Sequence, residues 1–445
     1  MKGDLTKGPV MGSMLLFALP MIAGNLLQQC YNIVDTLIVG RVMGSDALAA
    51  VGSSYTLMVF LTSIILGLCM GSGALFSIRF GQQDWDSLKE SLFSSFVLIG
   101  SFSLFLTAVI YLLIDSVMTV MNIPPVVWIS MRVYLVIIFC GLPATFLYNY
   151  FSSVLRAVGN SAAPLLFLAA AALLNIGLDL LFVLVFGLGI AGAAWATILS
   201  QYLSGIALAL FSWAKFPELR PQKKHLLLRP QTLCTIGSFS LLTCLQQSVM
   251  NLGILMVQSL VNSFGTAVMA AFAAACKIDS FAYMPVQDFG NAFSTFVAQN
   301  YGAQNKERIR KGIRGAVITA ALFCTAVSAA VWFFAKPLLS LFVDGQDPSI
   351  VTIGVQYLHI EGAFYIGIGF LFLLYGLYRA VARPGMSLVL TFISLGSRVA
   401  LAHLLARIPL IGVTGIWLSV PIGWALADLF GFFYYKKHKD ALLPR

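Results

Sequence analysis

Two acidic residues in the first half of the chain, Asp35 and Asp179, lie inside long apolar stretches. An ionisable side chain in a membrane span is costly to keep there, so each of the two is a candidate functional residue. Each lies about seven residues before the end of its stretch, which is roughly 10 Å at the rise of an α-helix. We therefore predict that the two carboxyl groups share one layer of the membrane.

Two further polar residues are predicted to lie in the same layer. Asn175 precedes Asp179 by four residues, which puts it on the same helix face one turn away. Thr197 lies about seven residues into the next apolar stretch, at a matching depth. Oxygen clusters of this kind suit a hard cation such as Na⁺ or a shared proton. The alternative is a set of structural hydrogen bonds between helices.

The second half of the chain carries different charges. The positions that match Asn175 and Asp179 are Arg398 and Ala402. Lys277, Glu361 and Arg398 each lie about nine to eleven residues from the outer end of a stretch, so they form a second candidate polar site. We hypothesise an ion pair between Lys277 and Glu361, with a structural role as the alternative.

The composition identifies the environment of these residues. Of 445 residues, 59% are hydrophobic and 10% are charged, and the mean hydropathy is +0.91. Soluble domains carry about 25% charged residues, so most of this surface must face lipid. The seven cysteines are scattered without a C-x-x-C pair, which favours neither a disulfide framework nor a metal site. The predicted fold class is therefore an all-α polytopic membrane protein.

Twelve stretches are long and apolar enough to span a bilayer. The basic residues concentrate in alternate connections, which puts both termini in the cytoplasm by the positive-inside rule and explains the net charge of +10 without a nucleic-acid partner. Pro20 lies within the first span, where it can bend the helix. The predicted spans are roughly 14–42, 48–79, 89–114, 127–153, 163–186, 190–214, 236–263, 268–297, 312–341, 350–379, 386–408 and 411–434.

The chain repeats itself with an offset of about 221 residues. Gly44–Val51 resembles Gly265–Phe272, and residues 80–83 (FGQQ) resemble residues 301–304 (YGAQ). Because each half holds six spans, the halves have the same topology and are expected to be related by a pseudo-two-fold axis along the membrane normal. We predict an N-lobe at 1–214, a cytoplasmic linker at 215–235 and a C-lobe at 236–445.

Catalytic and nucleotide-binding motifs are missing from the sequence. It contains no G-x-x-x-x-G-K-[ST], no H-E-x-x-H and no G-x-S-x-G pattern. We therefore expect no enzyme activity and no cofactor, and a transporter of this kind must use an ion gradient.

Several segments resemble the multidrug and toxic compound extrusion (MATE) transporters, in particular their prokaryotic DNA-damage-inducible-type branch. Unlike the norfloxacin-efflux and eukaryotic branches, the chain has Cys244-Leu245-Gln246-Gln247-Ser248 where they carry a glutamate in helix 7. The resemblance rests on residues 28–41 (QQCYNIVDTLIVGR), 47–52 (ALAAVG), 155–159 (LRAVG), 175–179 (NIGLD), 187–194 (GLGIAGAA) and 297–302 (VAQNYG).

The resemblance implies export of cationic or amphipathic drugs in exchange for H⁺ or Na⁺ by alternating access. It assigns the N-lobe cation site to Asp35, Asn175, Asp179 and Thr197, and a conformational hinge to Pro20. We expect a monomer in the bacterial plasma membrane, with lipid and organic small molecules as its partners. The alternatives are a dedicated exporter of one metabolite or a flippase for a lipid-linked oligosaccharide. A flippase would need clustered arginines for a pyrophosphate head group.

Overall fold

The structure is a computed structural model. It describes the backbone of residues 3–43, 45–120, 123, 125–342, 348–409 and 411–444, without the side chains of residues 34–43, 45–50, 53, 56, 120 and 126.

The described residues form fourteen α-helices and no β-strand. In lipid, a helix satisfies every backbone polar group within its own segment, which is why these apolar stretches become helices. A π-helix, Leu180–Val185, follows the sixth α-helix directly. The α-helices are α1 Val10–Met43, α2 Ser45–Gly81, α3 Trp85–Val120, α4 Pro125–Phe139, α5 Leu142–Ala157, α6 Ala162–Asp179, α7 Gly189–Lys215, α8 Pro230–Asn262, α9 Thr266–Gly302, α10 Lys306–Ser340, α11 Pro348–Gly362, α12 Tyr365–Ala380, α13 Pro384–Leu405 and α14 Val413–Leu442.

Ten of these helices are long and apolar enough to cross a membrane unaided. Two bent pairs supply the remaining spans: α4 with α5, at an angle of 40°, and α11 with α12, at 50°. Large apolar side chains on the outside, such as Leu112 at 84% exposure and Phe333 at 79%, fit contact with lipid. The predicted fold class, an all-α polytopic membrane protein with twelve spans, is confirmed.

The two bends have different local causes. Pro143 occupies the first turn of α5, and its missing N–H ends the hydrogen-bond ladder that would continue α4. The second bend lies at Ala363 and Phe364 and contains no proline. Glu361 is in the last turn before this bend, and Tyr365 is the first residue after it.

The helices pack into two compact units. The boundaries between the units fall inside α1 and α8, so each of these helices contributes to both units. The first unit is Met1–Asp4 with Leu19–Cys244, and the second is Leu5–Ala18 with Leu245–Arg445. The first turns of α1 thus belong to the second unit, while the first half of α8 belongs to the first. The lobes at 1–214 and 236–445 and the linker at 215–235 stay a prediction, because packing groups these residues differently.

Glycines explain how the start of α8 joins the first unit. A Cβ at Gly67 would lie 2.6 Å from the Cα of Cys244, and one at Gly71 would lie 2.3 Å from the carbonyl oxygen of Phe239. Two small residues four apart on one helix let a second helix approach its backbone closely. A hydrogen bond of 2.7 Å between Ser72 and Ser240 adds to this contact.

Candidate ion-coupling sites

The first candidate site is centred on Asp179, the last residue of α6. It is fully buried, and the chain changes from α-helix to π-helix directly after it. The i→i+5 pattern is visible in the N–H of Phe186, which donates to the carbonyl of Leu181 at 3.0 Å. Single-turn π segments inside helices occur often at functional sites, because they re-aim the neighbouring side chains.

Asn175 and Thr197 adjoin this carboxylate, as the sequence predicts. With its NH₂ group turned toward Asp179, the Asn175 amide donates to Oδ2 at 3.0 Å. Its oxygen then accepts from the backbone N–H of Thr197 at 3.1 Å. The Thr197 hydroxyl donates to the carbonyl of Ala193 at 3.1 Å. All three predicted side chains are buried, and they form one hydrogen-bonded group between α6 and α7.

The other two residues of this prediction lie on α1. The side chain of Asp35 lies outside the described residues, so its membership of the site stays a prediction. Pro20 lies inside α1, two residues beyond Ala18, where the helix passes from the second unit to the first.

The second unit contains its own buried acid pair, Asp279 on α9 and Glu361 on α11. Asp279 accepts a hydrogen bond of 2.6 Å from Tyr357 and another from Tyr365. The carboxyl group of Glu361 lies within hydrogen-bonding reach of that of Asp279. A hydrogen bond between two carboxyl groups needs a proton on one of them. This cluster therefore has the chemistry of a site that holds one exchangeable proton.

Arg398 supplies positive charge to this cluster from α13. It interacts electrostatically with both Asp279 and Glu361. Its Nε is buried, as is Oε1 of Glu361, and neither atom has a hydrogen-bond partner in the described part of the chain. Two buried polar atoms that lack hydrogen-bond partners leave room for a rearrangement when the charge of the acid pair changes.

The hypothesised ion pair between Lys277 and Glu361 is not formed. Lys277 is exposed, and Asp279, two residues further along α9, meets Glu361 instead. Two residues correspond to about 200° around an α-helix, so positions 277 and 279 face nearly opposite directions.

The sequence contains a signal for this cluster that the depth argument missed. Tyr357, Glu361 and Tyr365 follow one another at intervals of four residues, which puts them on one helix face. Polar side chains repeated in this way within an apolar stretch indicate a buried network. Tyr365 follows the bend at residues 363–364 and donates its hydrogen bond to Asp279.

Comparison with known proteins identifies the family. The MatE family model matches residues 20–181 and 241–404. The chain belongs to the MatE family. This MatE chain is 32% identical to the probable multidrug resistance protein YpnP of Bacillus subtilis, over 97% of this chain and 96% of that protein.

Other relatives show the breadth of the MatE family. An FAD transporter of Shewanella oneidensis is 25% identical, over 94% of this chain and 92% of the relative. A solved structure of a multidrug resistance MATE transporter in an outward-facing conformation matches with a TM-score of 0.93 at 23% identity, covering 99% of both chains, which shows the same fold. The MatE chain is thus a multi-pass membrane protein of a transporter family and not of an enzyme family.

Proposed function

We propose that this MatE protein exports cationic or amphipathic organic compounds in exchange for H⁺ or Na⁺, by alternating access. The observation that carries the proposal is the pair of buried carboxylate sites, Asp179 in the first unit and Asp279 with Glu361 in the second. Each lies where a helix departs from regular geometry. Buried acids at such positions in membrane proteins take up and release cations.

Asp179 is the better candidate for the coupling ion. Asn175 and Thr197 surround it with amide and hydroxyl groups, and these are ligands that Na⁺ accepts and that also stabilise a protonated carboxyl. Asp35 would add a second carboxylate from α1. The coupling ion itself is the transported cargo, so the proposal needs no resident metal or cofactor.

The substrate class follows from charge. An ion site that is negative when empty attracts an organic cation and repels an anion, which favours cationic compounds. The probable multidrug resistance protein of B. subtilis, at 32% identity, supports drug export as the activity. The proposed setting is the bacterial plasma membrane, with both termini cytoplasmic and the protein acting as a monomer.

The decisive experiment uses inverted membrane vesicles with proton and sodium gradients imposed separately. The wild-type protein is expected to move a fluorescent organic cation under at least one gradient, and Asp179→Asn is expected to abolish this movement. Asp115→Asn is the matched control, because Asp115 is an exposed acid paired with Arg132. Export at the wild-type rate by a well-expressed Asp179→Asn protein would refute the assignment of the site.

A dedicated metabolite exporter is the second candidate, favoured by the FAD transporter of S. oneidensis. The same vesicles distinguish the two. Transport of FAD, an anion, without transport of any organic cation would replace the proposed substrate class.

A further inference from the structure

A cluster of side chains in the second unit binds the backbone near the N-terminus, and the ion sites do not use it. Arg308, in the first turn of α10, donates to the carbonyl of Leu5 at 3.1 Å through Nε and at 3.0 Å through Nη2. It also donates to the carbonyls of Lys7, at 2.6 Å, and Gly8, at 2.7 Å. The planar fork of one guanidinium thus binds three backbone carbonyls within four residues, which a lysine cannot do.

Gln299 and Asn300 complete this binding site. The N–H of Leu5 donates to Oε1 of Gln299 at 2.9 Å, and Nδ2 of Asn300 donates to the Leu5 carbonyl at 3.2 Å. Gln299, Asn300 and Leu5 are all buried. The two amides belong to residues 297–302, one of the segments that carry the family resemblance. Their structural use here is to hold the main chain of residues 5–8, which we name the N-terminal tether.

The residues before the tether pack in the first unit. Gly3 meets Gly159 so closely that a Cβ on Gly3 would lie 2.4 Å from the Gly159 carbonyl oxygen. Gly159 has a φ of +83°, which L-residues with a side chain rarely adopt. Beyond the tether, α1 returns to the first unit at Leu19.

The linker before α8 is anchored in the corresponding way in the first unit. Asp86, in the first turn of α3, contacts Lys224 Nζ at 2.7 Å and His225 Nε2 at 2.9 Å. Four residues further along α3, Glu90 accepts from the hydroxyl of Thr232 at 2.6 Å, and the guanidinium of Arg229 lies 3.2 Å away.

The attachment of the tether to α10 and that of the linker to α3 occupy equivalent positions in the internal repeat. Pro9 precedes α1 and Pro230 begins α8, at an offset of 221, which is also the offset of the repeated segments. The segment before each of these helices binds to the first turns of a helix from the other half of the chain, α10 for the tether and α3 for the linker. In each case, the start of the helix packs in one unit and the remainder packs in the other.

We propose that Arg308 is a positioning residue for transport, because it fixes the cytoplasmic start of α1 to the second unit. This inference rests on the proposed alternating-access function. When the two units move, residues 5–18 stay with the second unit and residues 19–43 stay with the first, so α1 must bend between them. Pro20 lies at that point and has no N–H to donate to the preceding turn, which makes the bend less costly there.

The binding of the tether is tested by thiol labelling. Leu5→Cys keeps the backbone atoms that Arg308 and Asn300 bind, so the tether remains intact. The background carries alanine in place of all seven native cysteines, and inverted vesicles expose the cytoplasmic face to a membrane-impermeant maleimide. We expect Arg308→Gln to raise the labelling rate at least tenfold, and Arg314→Gln, an exposed arginine on the same helix, to leave it unchanged. Equal rates in the parent and Arg308→Gln would overturn the proposal.

The role in transport is tested with the native cysteines present. We expect Arg308→Gln to lower the turnover of organic-cation export at least fivefold, while the Kd of the cation changes less than twofold. A merely structural role would lower binding or the amount of folded protein as well. If Arg308→Gln does not reach the membrane, Arg308→Lys, which keeps the charge but not the fork, is compared in both assays.

Two outcomes separate this proposal from the proposed function. Rapid thiol labelling in Arg308→Gln together with wild-type export would overturn the positioning role and leave the exporter assignment intact. Absence of export by the wild-type protein would refute the proposed function, whereas the labelling comparison would still decide whether Arg308 holds the tether.

Discussion

The carboxyl groups of Asp279 and Glu361 lie against each other in the interior of the second unit. We infer that Glu361 holds the proton that this contact needs, because Asp279 already accepts hydrogen bonds from Tyr357 and Tyr365. A protonated Glu361 is neutral, so the cluster holds one negative charge opposite Arg398. The cluster is therefore a pair of carboxyl groups that holds one proton, and not a simple ion pair.

The first prediction follows from the placement of the shared proton on Glu361. Glu361→Gln keeps an N–H donor toward Asp279, so it should lower the export rate by no more than about threefold. Asp279→Asn loses the charged acceptor of two tyrosine hydroxyls, and hydrogen bonds to charged groups contribute about 1.5–3 kcal/mol each. We expect Asp279→Asn to unfold at a lower temperature than Glu361→Gln and to export more slowly.

Export rates at equal expression and thermal unfolding in detergent check this ranking. Asp179→Asn is included in the comparison, and we expect it to be more harmful than Glu361→Gln. If Glu361→Gln proved as inactive as Asp179→Asn, proton release from Glu361 would have to be part of each transport cycle.

The second prediction concerns the close contact between α2 and α8. Gly71→Ala puts a methyl group 2.3 Å from the backbone of Phe239, and backbone cannot move aside as a flexible side chain can. Overpacking of this kind costs about 1–3 kcal/mol. The control is Gly237→Ala on α8, where a Cβ has no neighbour within 4 Å. We expect a lower Tm for Gly71→Ala only, and equal Tm values would contradict the close approach of the helices.

The sequence predicts the spans and the meeting of Asn175, Asp179 and Thr197 well, for a physical reason. Depth in the membrane is a one-dimensional quantity, and the helix rise converts residue number into depth. Asn175, Asp179 and Thr197 meet because matched depth and a shared helix face leave few other arrangements. The same argument works for twelve apolar spans, since each is read independently of its neighbours.

The second site could not be read in the same way. Lys277 and Asp279 have nearly the same depth, and only the rotation of α9 decides which of them meets Glu361. That rotation is set by packing against α11 and α12. The depth of a residue in the membrane carries no information about this packing. No proline lies at the bend after Gly362, so the sequence gives no signal that the helix bends there. The tether was missed for a related reason, because Arg308 binds backbone carbonyls, and these carry no sequence signal.

The third prediction distinguishes the two coupling ions. The Thr197 hydroxyl is a ligand for Na⁺ but is not needed to protonate Asp179. We expect Thr197→Val to reduce sodium-driven export about tenfold and to leave proton-driven export within twofold of the wild type. The vesicle assay with separate gradients measures both rates. Ser200→Ala is the control, because Ser200 is buried on the next turn of α7 and donates to the Thr197 carbonyl. Equal losses under both gradients would show that Thr197 acts structurally.

The last prediction concerns competition between the ion and the drug. The empty site around Asp179 is negative and attracts an organic cation, whereas H⁺ or Na⁺ neutralises it. A ligand shifts an equilibrium only through a difference in affinity, and the coupling is reciprocal, so the ion and the drug must weaken each other's binding. We expect the affinity for a fluorescent cation to fall as pH is lowered or as sodium is raised.

Equilibrium binding to purified protein, across pH and sodium concentration, measures this coupling. Asp179→Asn should remove most of the dependence, because its amide carries no charge to neutralise, and Asp35→Asn should do the same if Asp35 shares the site. Glu361→Gln serves as the comparison, since Glu361 already holds its proton and its loss should leave the dependence intact. A wild-type affinity that is indifferent to both ions would rule out competition at Asp179. A dependence abolished by Glu361→Gln instead would move the coupling site to the second unit.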